Sequence, residues 1–313
     1  MTPATAGAPL SSIRRALPAL ALTLNAFTWG VSWWPLRELQ ARGLHPLWAT
    51  ALIFAVAVLV ITLWRREAWG QLWRARTLWV LVLASGTTNA AFNWGVTVGD
   101  VVRVVLLFYL MPLWAVLLAR LLLKEAFTAM ALLRVAIALL GAVIVLWPEE
   151  GLKEGLPMSL PMGLPMGLPL PRTLPEWLGV LGGFTFALNN VMLRREAHQP
   201  EAARALAMFL GGAVVAGVLA LGLSLQGTAA WPPAPAPGWV LGALALAAVF
   251  LAGNLALQYG ASRLPASVTA VVMISEVLFA SGSAVLLGAG VVTVPLLLGG
   301  ALIVGASLLA VKG

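Results

Sequence analysis

Tyr109-Leu-Met-Pro-Leu-Trp-Ala-Val-Leu-Leu-Ala-Arg-Leu-Leu-Leu123 is matched, 165 positions later, by Ile274-Ser-Glu-Val-Leu-Phe-Ala-Ser-Gly-Ser-Ala-Val-Leu-Leu-Gly288. The two runs agree in apolar character along their whole length without a gap. Each belongs to a set of five membrane-length apolar segments. The first set covers 17–36, 47–64, 77–98, 101–123 and 130–147; the second covers 176–193, 204–225, 238–259, 265–288 and 293–311. About 20 apolar residues cross the hydrocarbon core as a helix, and helices are expected because lipid offers no partner to an exposed amide. Five crossings bring a chain out on the opposite side from its entry, so a second copy must be inverted. The predicted fold is an all-α integral membrane protein, with ten transmembrane helices as two inverted five-helix repeats.

Two shorter matches keep the same order. Phe27-Thr28-Trp29 pairs with Phe184-Thr185-Phe186, and Asn93-Trp94-Gly95 with Gln258-Tyr259-Gly260. Order and near-constant offset favour duplication over chance likeness of apolar helices. The expected division is a first repeat over 1–147, an external linker over 148–175 and a second repeat over 176–313.

Composition narrows the function classes. The chain is 61% hydrophobic and 10% charged, whereas a soluble domain carries about 25% charged residues. It has no Cys, which excludes disulfides and thiolate metal sites. Its two His, His45 and His198, fall in predicted loops, and no phosphate-cradling lysine loop is present. Acids and bases are too few and scattered for hydrolysis. Neither an enzyme nor a cofactor or metal is expected.

The net charge of +8 reflects topology rather than nucleic-acid binding. With a cytoplasmic N-terminus, 14 of the 19 basic residues fall at cytoplasmic ends and loops, among them Arg65, Arg66, Arg194, Arg195 and Arg263. This follows the positive-inside rule and places both termini in the cytoplasm. Arg14 and Arg15 precede an apolar segment without a small-residue cleavage pattern, so that segment reads as a retained span. The linker repeats a four-residue unit, Gly155-Leu-Pro-Met through Gly167-Leu-Pro-Leu. Proline at every fourth position bars a regular helix. The linker is expected to be an extended external spacer, with a partner-binding arm as the alternative.

Ionisable groups inside a membrane are costly, so their positions are informative. Glu276 lies near the middle of the ninth span, as a proton-coupling group, an anchor for a substrate amine or a structural carboxyl. Arg103, near the outer end of the fourth span, would bind a substrate carboxylate or snorkel to the interface. Asn25, Trp29 and Trp33 share one face of the first helix by their i, i+4, i+8 spacing. Asn89 and Asn93 share a face of the third, and Asn254 and Gln258 a face of the eighth. These amides would line a polar cavity walled by Trp29 and Tyr109, or hydrogen-bond helix to helix. Pro112, inside the fourth span, is a candidate hinge.

The run Val104–Ala119, ending at Lys124-Glu125, resembles the fourth-span signature of the drug/metabolite transporter superfamily, and specifically of its EamA-type ten-helix permeases. Ile274-Ser275-Glu276-Val277-Leu278-Phe279-Ala280 is similar to the ninth-span motif, with Val277 where that family has proline. The second copy has Ala289-Gly290 where the family often carries an acid; the first keeps Glu125. The resemblance implies a bacterial inner-membrane permease with a central cavity, usually an exporter of amino acids or related metabolites. The expected function is therefore secondary transport of a small metabolite by alternating access, possible proton coupling included. Its partners would be the substrate and the bilayer, with no nucleic acid, as a monomer or homodimer. The rival is a non-transporting assembly or sensory protein acting through the Pro-rich loop.

Overall fold

The computed structural model describes residues 8–98, 104, 107–126, 128–146, 171–287 and 294–312. They form α-helices: α1 (Ala8–Ala41), α2 (Pro46–Trp64), α3 (Glu67–Arg74), α4 (Leu78–Val98), α5 (Met111–Leu118), α6 (Ala129–Leu146), α7 (Leu174–Arg195), α8 (Glu201–Leu225), α9 (Pro237–Ala261), α10 (Ala266–Met273), α11 (Glu276–Leu286) and α12 (Val294–Lys312). No strand occurs among the described residues. Among the described residues, four stretches are long and apolar enough to cross a membrane: Pro46–Trp64, Glu201–Leu225, Pro237–Ala261 and Ala266–Ser283. The outer faces carry exposed Leu and Val, such as Leu63, Leu83, Leu121 and Leu241. That apolar exterior suits lipid rather than water.

Helix ends follow local chemistry. The Glu176 carboxylate accepts from the backbone N–H groups of Arg172 (2.5 Å) and Thr173 (3.3 Å), fixing the start of α7. This is the acidic half of a capping box. The short α3 falls where the sequence suggested a loop. It buries Ala68 and Leu72, and Trp69 donates to the Thr62 hydroxyl at 2.9 Å, folding α3 back on α2. Trp64 and Trp73 stay exposed, as interface residues do. Trp147 lies outside the described residues, as do residues 148–170 of the linker.

The fourth and ninth segments are broken rather than continuous. Tyr109 and Leu110 interrupt one, Ile274 and Ser275 the other, again 165 positions apart. In the first, Pro112 has no N–H to continue the ladder. The second breaks without a proline: Val277 holds that place. There Ser275 and Val277 donate to carbonyls three residues back, at 3.1 and 3.0 Å. The Ser275 hydroxyl also donates to the Val272 carbonyl at 2.7 Å. Such local side-chain bonds compete with the i→i−4 pattern.

The helices interleave. α4 packs between α7 and α8, and α9 packs against α1 and α2; α5 lies on α7 as α11 lies on α1; α2 meets α8, and α6 meets α12. Each of these pairs joins an element before residue 147 to one after residue 173. Glycine makes the closest crossings possible. A side chain on Gly211 would strike the Val82 carbonyl, and one on Gly86 the Gly211 carbonyl. On α7, Gly179 and Gly183 similarly face the carbonyls of Val104 and Phe108. Such backbone-to-backbone approach substitutes for the hydrophobic drive that lipid does not supply.

One end of the bundle is tied electrostatically. After α5 a π-turn over Ala119–Leu123 leads into Lys124, held at φ 59° in the left-handed region. This turns Glu125 toward Arg194 and the backbone N–H of Ala266, which donates to its carboxylate. Arg194 in turn donates to the Ser262 carbonyl at 3.0 Å. Negative charge is favoured at the start of α10 by its exposed amides.

Two outcomes are expected. Gly211→Val should destabilise the fold by about 1–3 kcal/mol through overpacking, read as a lowered midpoint of unfolding in detergent. Burial raises the Glu125 pKa, against the opposing pull of Arg194 and the Ala266 N–H. The folded state thus favours the protonated acid: the contribution is full below the ordinary carboxylate range and lost as pH rises through the raised value. Glu125→Gln should flatten that acidic-range slope of stability against pH, without shifting the slope elsewhere.

Candidate functional site

A cavity lies where α1, α4, α7, α8, α9 and α11 meet. Aromatic packing forms its walls. Trp29 stacks on Phe250 with ring centres 4.6 Å apart, and Phe250 leads to Phe54 and Phe209. On the other side Phe108 packs against Phe92 at 4.7 Å and Phe186 at 5.7 Å. Phe108 ends the first half of the broken fourth segment. Glu276 begins α11 just past the break in the ninth and reaches the same cavity.

Of the residues singled out from sequence, Trp29, Asn89, Asn254 and Glu276 converge on this cavity. Asn89 and Asn254 each donate one N–H to their own helix, at the carbonyls of Ser85 (2.8 Å) and Phe250 (2.9 Å). Each keeps its amide oxygen for another partner. Glu276 has no ion-pair partner among the described residues, so charge there is costly unless a proton or a cationic ligand offsets it.

The other candidates serve elsewhere. Asn25, fully buried, donates to the Gly253 carbonyl at 2.7 Å and ties α1 to α9. Asn93 donates to the Thr50 hydroxyl at 2.6 Å and ties α4 to α2. Gln258 donates to the Glu201 carbonyl at 3.0 Å, at the charged end of the bundle. Tyr109 is buried at the helix break, within electrostatic reach of Glu276 but outside the cavity lining. Pro112 is buried in the first turn of α5, just after the break at Tyr109 and Leu110. Arg103 lies outside the described residues.

The structure adds Ser85 and Thr88 to the lining, beside Asn189 of α7. Ser85 donates to the Met208 carbonyl at 3.0 Å, and Thr88 to the Thr185 hydroxyl at 2.9 Å, so both also bridge helices. The buried amide oxygen of Asn189 has no partner. Ser85, Thr88, Asn89 and Phe92 follow an i, i+3, i+4, i+7 stripe on α4. Extending the Asn89 face by one turn in each direction would have found them. The cavity measures about 40 Å³, enough for a few waters and too little for a metabolite.

Comparison with known proteins accords with this architecture. A crystal structure of a protein with 18% sequence identity superposes with a TM-score of 0.71, covering 94% of this chain and 96% of that one. At that identity the likeness concerns the fold. No curated protein matches the sequence. Residues 16–147 match the EamA-like transporter family. Over residues 16–147 the chain is thus similar to EamA-like transporters, and its long apolar helices suit a multi-pass membrane protein.

Proposed function

We propose that this chain is a secondary active transporter that exports a small metabolite, such as an amino acid, by alternating access. The reading takes its ten apolar segments as two inverted five-helix repeats, 1–147 and 176–313, joined by the 148–175 linker. The observation that carries it is the pair of broken segments. They break at positions 165 residues apart, the offset at which the two sequence copies align, and α5 touches α10. The reciprocal packing of α4 with α7 and α8, and of α9 with α1 and α2, is what a two-fold relation between halves requires. Discontinuous helices meeting between repeats are the usual setting of a substrate site.

Each residue then has a mechanical or chemical task. Glu276, at the start of a half-helix, exchanges a proton or holds a substrate amine. Trp29, Asn89, Asn254 and Asn189 contact the remainder of the cargo. Tyr109 and Pro112 flex at the opposite break. A cavity of about 40 Å³ admits no amino acid until the halves part, so opening and binding are coupled. The reading puts both termini in the cytoplasm of a bacterial inner membrane, supported by the excess of Lys and Arg in the loops it assigns to that side.

In proteoliposomes, flux of the exported metabolite should respond to an imposed proton gradient. Glu276→Gln should lower that flux about tenfold or more, the cost of one charge-assisted contact. If no candidate metabolite moves, with or without the gradient, the transport reading fails. Deleting 155–171 should leave flux near that of the full chain, whereas a loop-mediated assembly or sensory role would lose its function.

A further inference from the structure

From Arg65 to Arg76 the chain carries four arginines, Arg65, Arg66, Arg74 and Arg76, against one acid, Glu67. The short α3 lies inside this stretch and sorts its residues by helical spacing. Ala68 and Leu72 are buried, where α3 packs on α8 and α2. The opposite face carries Arg66, Gly70, Trp73 and Arg74, at i, i+4, i+7 and i+8, and all four are exposed. Arg66 caps the helix with helical backbone angles, so it shares that face. Gly70 stands at its middle. A side chain added there would meet nothing within 4 Å. Arg66 and Arg74 lie one turn before it and one turn after, about 12 Å apart along the axis. Two arginine side chains can reach toward each other over that bare backbone. Glycine is the poorest helix former after proline, so propensity does not account for it at the centre of an eight-residue helix.

Charge and depth agree with this reading of the face. Arg66 and Arg74 have no ion-pair partner among the described residues. Glu67 pairs with Arg65 at 3.8 Å and lines, with Gln71 and Glu201, a depression on the other side of α3. The helix before α3 ends in Leu59, Leu63 and Trp64, all more than half exposed, and the helix after it begins with exposed Val80 and Leu83. Trp73, 65% exposed, sets its ring 4.9 Å from that of Trp79 at the start of α4. Exposed Trp next to lipid-facing Leu and Val marks the headgroup level. The bare, basic face of α3 is therefore at the depth of lipid phosphates.

We propose that this face binds an anionic phospholipid of the phosphatidylglycerol type. Its phosphate rests over Gly70, between the guanidiniums of Arg66 and Arg74, whose forked donors match phosphate oxygens. Its acyl chains enter the bilayer beside Trp73. Phosphatidylcholine and phosphatidylethanolamine carry a cation next to the phosphate, which the arginines repel. Free phosphate has no chain to hold beside the tryptophan.

The test is lipid retention by the full chain, taken from vesicles of equal phosphatidylglycerol, phosphatidylethanolamine and phosphatidylcholine and weighed by native mass spectrometry. Phosphatidylglycerol should be retained in preference to both others. Arg66→Gln and Arg74→Gln should each reduce its retention about fivefold, the scale of one basic residue at an anionic surface. Arg42→Gln removes an exposed charge before α2, at the opposite end of that helix from α3, and should leave retention unchanged. Gly70→Ala separates binding from structure. It should raise the unfolding midpoint through better helix propensity, yet lower phosphatidylglycerol retention about threefold by filling the seat. All these positions are exposed, so the variants fold. Equal retention of the three lipids, unchanged retention in Gly70→Ala, an equal loss in Arg42→Gln, or displacement of the lipid by millimolar inorganic phosphate at constant ionic strength would overturn the proposal. The readout is independent of flux, so its failure leaves the transport reading standing.

Discussion

Every backbone amide in this molecule must find a protein partner, because the surrounding lipid supplies none. That single constraint explains why the chain is helical, and also where it is allowed not to be. The breaks at Tyr109–Leu110 and Ile274–Ser275 lie inward, against other helices, where three-residue-back bonds and the Ser275 hydroxyl take up some of the freed groups. A break facing lipid would have no such recourse. The cavity forms where these interruptions occur because irregular backbone is tolerable only there.

Helix association has a different origin. The residues that bring helices closest are those with least to bury: Gly86, Gly211, Gly179 and Gly183. Around these contacts a few polar bonds set register. Asn25 fixes α1 on α9, Asn93 fixes α4 on α2, and Trp48 donates to the Ser224 hydroxyl at 3.0 Å between α2 and α8. Individually these are modest, typically below about 2 kcal/mol in membranes. Their value lies in pairing segments distant in sequence.

Much of this was legible from the chain. Apolar length located the helical segments, and an intramembrane carboxylate pointed to Glu276. Helical spacing correctly turned the amides inward, but could not divide cavity from glue. Asn89 and Asn93 share a face, yet one meets the cavity and the other meets Thr50, because only the packing of α2 decides between them. The second helix break was hidden for a similar reason. Proline is the readable mark of a break, and Ser275 achieves one through a hydroxyl that in other helices is harmless. The short α3 was lost because eight residues with mixed polarity resemble a loop until a tryptophan anchors them.

The Gly86–Gly211 crossing carries one more implication. Two backbones touch there with no side chain between them, and they belong to α4 and α8, on opposite sides of the linker. Interdigitated side chains act as gear teeth and resist rotation. Bare backbone acts as a bearing, with contact that survives a change of angle. When two bodies tilt against one another, the joint that keeps its distance is the fulcrum, and displacement grows with the lever arm away from it. Under the alternating-access reading, these small residues would put the quiet point of the motion at this crossing and leave the largest excursions to the bundle ends, where Glu125, Arg194 and Ser262 meet.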